Sequence, residues 1–487
     1  MSAMPKLPSL PAGISEEDMK TQPEWLASLA GLLDVGQIDT EPEHLQAHAM
    51  DGRVPRAIVF PGDFAQVAAV LQWAQSEKLA ILPRGSGSQV ALGGIPRRAD
   101  LVLSTIRLQR ISEYDAANFT LTAEAGMTFA AVAALAAGNL QTLPLQYPFS
   151  PATLGGLIAT NAANPKRLLY GGVRDLLLGL RVALPSGAVV HFGGKVVKNV
   201  AGYDMAKLFV GSLGTLGVIV EATFKLSALP ERDETVLAVF PTWPQAAATG
   251  TQVLAAPLLP SQVLLLNAAA TQAIMPQGEG DDGKDVQGIR SMAGGVMLLV
   301  NVEGMEEAVE RQRRDIAQIC RKQGAATVDV AAGELQSLLR QRLMALSRAG
   351  ELADVGEGSR GGAISVRLGT LTSRVPAIME AIAHMLEPIT PPLLIGDCGV
   401  GQVRLILRGG GLASRGEDKA LVQALRDLPH LVAAEGGHVV IEAAPTAVKE
   451  QLDVWGPPPS ALNLLKALKA KFDPAGILNP GRFIGGL

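Results

Sequence analysis

Glycine and serine crowd the stretch Pro83 to Gly94, PRGSGSQVALGG, and that spacing suits one kind of chemistry. With few side chains in the way, the backbone N–H groups of Arg84-Gly85-Ser86-Gly87-Ser88 can converge on a pyrophosphate. An ordinary glycine-rich turn has the same composition. A Rossmann-type loop is disfavoured, because Val90 stands where the third glycine of that fingerprint belongs. Two more segments share the character. Ser150 to Asn164, SPATLGGLIATNAAN, is followed by Gly171-Gly172-Val173-Arg174-Asp175. Its small residues would let a flat ligand lie against backbone, although helix packing explains them equally. Lys195 to Val218, KVVKNVAGYDMAKLFVGSLGTLGV, repeats glycine at 211, 214 and 217 just before an apolar strand.

Other chemistry-bearing patterns carry less. Gly278-Glu279-Gly280-Asp281-Asp282-Gly283-Lys284 has P-loop spacing up to its lysine, but Asp285 replaces the required hydroxyl residue, and the acidic residues would repel a triphosphate. It reads as a surface loop. His44 and His48 could share a helix face, yet no third metal ligand accompanies them. Cys320 and Cys398 form no C-x-x-C pair, and two cysteines cannot hold an iron-sulfur cluster through four thiolates.

The glycine segments need rigid elements to hold them. Ala57 to Phe60 reads as a strand, Pro61-Gly62-Asp63 as a turn with a helix cap, Phe64 to Glu77 as an amphipathic helix, and Ala80 to Pro83 as a second strand. This strand-helix-strand unit leads directly into Arg84. Further strands are expected at 101–104, 120–124, 178–184, 188–192 and 218–226, with an alanine-rich helix over 129–137. Residues 15–50 suggest one or two leading helices. Strands and helices alternate again from Leu237 to Glu450, interrupted by loop-like stretches at 277–288 and 355–362, and a basic helix over 460–472 precedes the tail DPAGILNPGR.

The 487 residues exceed what one core sustains, and 48% hydrophobic with 18% charged residues describes a globular, multidomain chain. A net charge of -4 leaves no broad footprint for nucleic acid or an anionic membrane. No apolar run approaches the roughly 20 residues of a spanning helix, and the N-terminus has no signal-peptide core. The few cysteines suit a reducing compartment. The expectation is a cytoplasmic protein, at most peripheral on the inner face of the membrane through a complex.

Taken in order, the three glycine segments and the C-terminal DPAGILNPGR resemble the vanillyl-alcohol-oxidase (PCMH-type) flavoproteins. Phe192-Gly193-Gly194, Val197 to Asp204, Ala434-Glu435-Gly436-Gly437-His438 and Asp473 to Arg482 are similar to the FAD-binding subunits of bacterial glycolate oxidases in particular. The likeness covers about residues 55–230 and the last thirty or so. It implies an α+β fold with a two-part FAD domain and an α+β cap. The expected division is a helical extension at 1–50, the FAD domain at 51–230, the cap or substrate domain at 231–455, and a segment at 456–487 returning to the FAD domain.

The resemblance further implies that Arg84, Gly85, Ser86, Gly87, Ser88 and Gln89 wrap the FAD pyrophosphate. Thr153, Gly155, Gly156, Asn161, Asp175, Gly214, Gly217, Val218 and Ile219 would line the rest, and Asn479 would approach the flavin. No histidine stands in the glycine-rich loop, so the FAD is expected to be non-covalent. For catalysis, Arg367 lies where relatives keep an arginine on a cap strand, and His438 is the nearest histidine. Arg404 and Arg408 are further cations; ion pairing or a solvated strand face would account for all three arginines. Larger FAD-dependent 2-hydroxy-acid dehydrogenases carry a metal-binding H-x-G-D-G-N-x-H stretch, but the comparable Ile395 to Gln402 lacks the histidines, so no metal site of that kind is expected. The implied function is the FAD-binding subunit of a glycolate- or D-lactate-oxidising complex, with a homologous catalytic FAD subunit and an iron-sulfur subunit as partners. The alternatives are a self-sufficient FAD oxidase or dehydrogenase of another alcohol or hydroxy acid, and a mainly structural subunit.

Overall fold

The computed structural model describes residues 24–147, 151–195, 203–275, 295–348, 363–408 and 419–487. The loop-like stretches 277–288, with the P-loop-like 278–284, and 355–362, together with Ser150 and residues 196–202 of the third glycine segment, lie outside this description. The architecture is α+β, with a four-stranded sheet, a five-stranded sheet, a two-stranded ribbon and an eight-stranded sheet.

The four-stranded sheet begins with the buried strand Ala57–Val59. Asp63 then caps the helix Phe64–Ser76, its carboxylate accepting from Gln66 N at 2.8 Å and satisfying one orphan N–H of the first turn. The helix buries Val67, Val70, Leu71 and Ala74 and returns the chain to strand Ile81–Arg84. Both strands pair parallel to Leu101–Ser104, as a helical crossover permits. Residues 24–39 do not stand apart as an extension. Strand Ile38–Asp39 joins this sheet, and Leu26, Leu29 and Leu33 enter the same core as Val67 and Leu71, since an apolar helix stripe must be buried against something.

The five-stranded sheet runs Ile111–Asp115, Thr120–Glu124, Val218–Lys225, Leu177–Ala183, Val189–Gly193, all antiparallel. Helices Phe129–Ala137 and Leu154–Thr160 pack on it through Val132, Ala136, Leu154, Leu157 and Ile158. Late in the chain, helix Leu462–Phe472 leads the tail back to the first sheet, where Ile81 N donates to Ile477 O and Asn479 N donates to Ile81 O. Lys469 anchors this return: its buried ammonium donates to Thr215 O and Leu478 O, each at 2.8 Å, and to Asp473 at 2.6 Å.

The eight-stranded sheet is antiparallel throughout, in the order Thr327–Ala331, Arg232–Phe240, Val296–Gly304, Gln262–Leu266, Leu393–Asp397, Gln402–Leu407, Ile364–Gly369, His438–Ala443. Helices cover one face along its length. On the other, Ala268–Ile274 and Gly333–Arg348 cover the first half. Strands with helices on both sides therefore carry continuous apolar runs, as in Val296 to Val300. The later strands alternate instead: Val366 and Leu368 face the helices while Arg367 faces away, and Val403 and Leu405 flank Arg404 likewise. This polar half-face looks toward the first unit.

Candidate functional site

The glycine loop opens a cavity of about 790 Å³. Its walls are strand end Pro83–Arg84, the loop to Val90, helix start Thr153 to Thr160, the turn Leu213 to Ile219, and Asn479 with Arg482 from the tail. Small residues are required by contact, not merely tolerated. A Cβ on Gly85 would lie 2.1 Å from Thr153 Oγ1, and one on Gly87, whose φ is +83°, would lie 2.4 Å from Arg84 Nη2. Thr153 caps its helix by accepting from Gly156 N at 3.3 Å. Asn479 holds a left-handed backbone at φ 43° and donates its side-chain N–H to Leu213 O, pinning the opposite turn.

The cavity is prepared for a polar, anionic guest. Arg84 Nη1, Gln89 Oε1 and Asn479 Oδ1 are buried without a hydrogen-bond partner among the described residues, a costly state that a ligand would relieve. Burial draws Arg84 down to about 10, so it remains charged at neutral pH. Arg482 cannot serve in the same way, because Asp51 and the carbonyls of Val90, Leu92 and Gly94 occupy its guanidinium. Lys449 reinforces that knot, reaching Asp51 at 2.8 Å and Ala91 O at 2.7 Å. The loop is thus fastened from behind by the tail and the large-sheet unit, while the backbone N–H groups of 85–89 donate no hydrogen bond among the described residues and line the cavity wall unpaired.

A second cleft, about 970 Å³, lies between the first unit and the polar half-face of the large sheet. Gln89 lines both spaces. Ile395, Arg404 and Arg367 stand in one cross-strand row, and Leu264, Asp397 and Gln402 in the next. Arg367 Nε donates to Glu442 Oε1 at 2.6 Å and Arg404 lies 3.3 Å from Glu442 Oε2. Burial would raise Glu442, but Arg404 and Arg367 outweigh it and hold the carboxyl below its ordinary value. Two guanidiniums against one carboxylate leave one net positive charge, enough for one substrate carboxylate.

Polar contacts fix the two walls of this cleft relative to each other. Gln262 donates to Gln146 at 2.8 Å, and Lys166 from the first unit pairs with Glu303 and, at 3.4 Å, with Asp233 of the large sheet. Asp233 also accepts from Asn301 and Gln336, each at 2.7 Å, and pairs with Arg340 at 3.0 Å.

The structure gathers Arg84 to Gln89, Thr153, Gly155, Gly156, Gly214, Gly217, Val218, Ile219 and Asn479 around the first cavity. It leaves out two residues expected there. Asn161 is the left-handed C-cap of helix Leu154–Thr160, and Asp175 accepts from Gly172 N at 2.8 Å to start the short helix Val173–Leu176. Both shape backbone instead. Arg367 lines the second cleft, as does Arg404, while Arg408 follows the end of its strand and is exposed. His438 does not line the cleft. It sits on the edge strand opposite Gly369, whose missing side chain leaves room for the imidazole ring. Burial, then Arg367, lowers its pKa. Asp397, Glu442, Gln146 and Gln262 were not singled out from the sequence; only the alternation of polar and apolar residues on their strands hinted at Glu442.

No helix among the described residues is long and apolar enough to cross a membrane. Residues 55–193 match the family model described as an FAD binding domain, and residues 229–399 with 456–483 match that of the FAD linked oxidases, C-terminal domain. The chain is 30% identical to the glycolate oxidase subunit GlcD of Bacillus subtilis, over 88% of this chain and 89% of that one. It is 29% identical to a D-lactate dehydrogenase of Archaeoglobus fulgidus, over 94% and 99%, and 26% identical to a D-2-hydroxyglutarate dehydrogenase of Stutzerimonas stutzeri, over 95% and 99%. Among solved structures, alkyldihydroxyacetonephosphate synthase superposes with a TM-score of 0.71 at 18% identity, covering 96% of this chain and 88% of that one. p-Cresol methylhydroxylase superposes with a TM-score of 0.70 at 18% identity, covering 97% and 98%; these two likenesses speak for the fold.

Proposed function

The chain belongs to the FAD-linked oxidase family and is an FAD-dependent oxidoreductase, and from that premise we propose that it oxidises a 2-hydroxy acid as the FAD-binding subunit of a glycolate- or D-lactate-oxidising complex. The observation that carries this reading is the juncture at Gln89 of a phosphate-friendly cavity with a cleft holding one unneutralised guanidinium charge. The backbone N–H groups of 85–89 and the Arg84 guanidinium would hold the FAD pyrophosphate non-covalently, with Thr153, Gly155, Gly156, Gly214 and Asn479 beside the remainder. The flavin, when bound, supplies a two-electron acceptor for hydride. Arg367 and Arg404 then hold the substrate carboxylate and so orient the carbon bearing the hydroxyl. Leu264 and Ile395 exclude water around it.

Two cysteines cannot hold an iron-sulfur cluster through four thiolates, so electrons leaving the flavin need a partner or a small acceptor, and in this reading the acceptor is an iron-sulfur protein. A second reading, a self-sufficient dehydrogenase, is favoured by the presence of both cavities within one chain. Anaerobic bleaching of the flavin by glycolate, D-lactate and D-2-hydroxyglutarate tests the function, measured on the purified chain and on the complex it co-purifies with. Bleaching by glycolate or D-lactate that Arg367→Met weakens by raising the substrate concentration required supports the proposal. Bleaching by none of the acids in either preparation refutes it. Rapid bleaching and reoxidation by the isolated chain selects the self-sufficient reading.

A further inference from the structure

Removing hydride from a hydroxyl-bearing carbon leaves the hydroxyl proton to be taken, and few groups lining the cleft can take it. Arginines cannot, glutamines and asparagine are not basic, and a phenol hydroxyl is itself only a weak base. Glu442 is locked between two arginines. His438 lies outside. Asp397 remains.

We propose that Asp397 Oδ2 is the group that accepts the substrate's hydroxyl proton. Resting on the functional reading above, this assigns a catalytic residue to the cleft. Asp397 ends strand Leu393–Asp397, in the row next to the one holding Arg404 and Arg367 and on the same face, about 7 Å along the strand direction. A 2-hydroxy acid gripped by those arginines spans that gap. Asp397 Oδ1 accepts from Gly399 N at 2.9 Å and Val400 N at 3.3 Å, which fixes the carboxyl plane, while Oδ2 has no hydrogen bond among the described residues. The side chain is buried, and the helix Arg167–Tyr170 packs over the turn that follows it, Leu168 touching Gly399.

The charges facing it are Arg167 from that helix, and Arg404, Arg367 and Glu442 from the neighbouring strands; Cys398 beside it stays a neutral thiol, pushed up to about 12. Burial raises Asp397 to about 7, against the two N–H donors and Arg167. A base near the working pH is what proton transfer requires. In the step, the C2–H bond breaks with both electrons passing to the bound FAD. The O–H bond breaks with its proton passing to Asp397 Oδ2, its electron pair forms C2=O, and a 2-oxo acid leaves. Asp397 returns the proton to solvent.

The test is Asp397→Asn, which retains an oxygen to accept from Gly399 and Val400. Expected are normal flavin content, flavin reduction slowed about 10²–10⁴-fold, and loss of a wild-type rise in reduction rate through pH 7. Binding of the 2-oxo acid gives a readout apart from turnover. In the wild type its Kd rises above pH 7, by up to about tenfold per pH unit, because the anion is repelled by ionised Asp397; in Asp397→Asn it stays flat. A variant reduced within a few-fold of wild type, or a pH-dependent Kd that survives the substitution, overturns the assignment alone. If no 2-hydroxy acid reduces the wild-type flavin, the functional reading falls and the assignment with it.

Discussion

Replacing Gly87 with alanine tests how the glycine loop is built. Gly87 has φ +83°, a region that costs an L-residue about 1–2 kcal/mol. The added Cβ would lie 2.4 Å from Arg84 Nη2, 2.5 Å from Nε and 2.7 Å from Cζ, so the guanidinium must move. Moving it withdraws from the pyrophosphate the one cation that lines the cavity unpaired among the described residues, and a charge-assisted hydrogen bond of this kind contributes about 1.5–3 kcal/mol. Gly87→Ala should therefore weaken FAD binding by about 10- to 150-fold through the displaced arginine, measured by flavin fluorescence on adding FAD to the stripped protein. Arg84→Met alone should lose a similar amount. Because both act through one guanidinium, Gly87→Ala introduced into Arg84→Met should add little beyond the backbone strain. Unchanged FAD affinity in a folded Gly87→Ala protein, or full additivity of the two changes, would refute this account.

Two other predictions concern stability. Lys449→Met leaves Asp51 buried against only the distant contact with Arg482, so unfolding of the first unit should become easier by about 3–5 kcal/mol; denaturant titration checks this, and an unchanged midpoint contradicts it. Asp397, raised in the folded chain to about 7 from an unfolded value of about 3.9, stabilises fully below pH ~4 and loses that contribution as pH climbs through 7. Asp397→Asn should flatten this fall, a difference on the order of 4 kcal/mol between pH 4 and 8, and parallel stability–pH curves for the two proteins would contradict it.

Much of the fold was legible because its signals are local. Asp63 before an apolar periodic run marks a helix start whatever lies far away, and helix Phe129–Ala137 was readable end to end from composition. The glycine segments were visible for the same reason, and the structure brings most of their expected residues to one cavity. Asn161 and Asp175 lie at helix ends off that cavity, and a helix cap and a ligand contact call for the same small polar side chains. The second cleft was hidden for a different reason. Asp397 and Arg404 share a hairpin, but Arg367 and Glu442 join them only through the register of two further strands reached by long connections, and no local pattern encodes which row faces which. His438, expected only as the nearest histidine, shares its strand with Glu442 but stands at the end of it, against Gly369 and off the cleft.

The fastening of the glycine loop by Arg482 has a consequence for biosynthesis. Arg482 donates to the carbonyl of Val90 across a sequence separation of 392 residues. At about 5–20 residues per second, a ribosome needs about 20–80 s to pass from one to the other. Throughout that interval the loop exists without its clasp, and the wall contributed by Asn479 has not been made. Completion of the pocket is thereby tied to synthesis of the Asn479 to Arg482 segment, and a nascent chain stalled anywhere in the large-sheet region is left with an open, unfinished pocket.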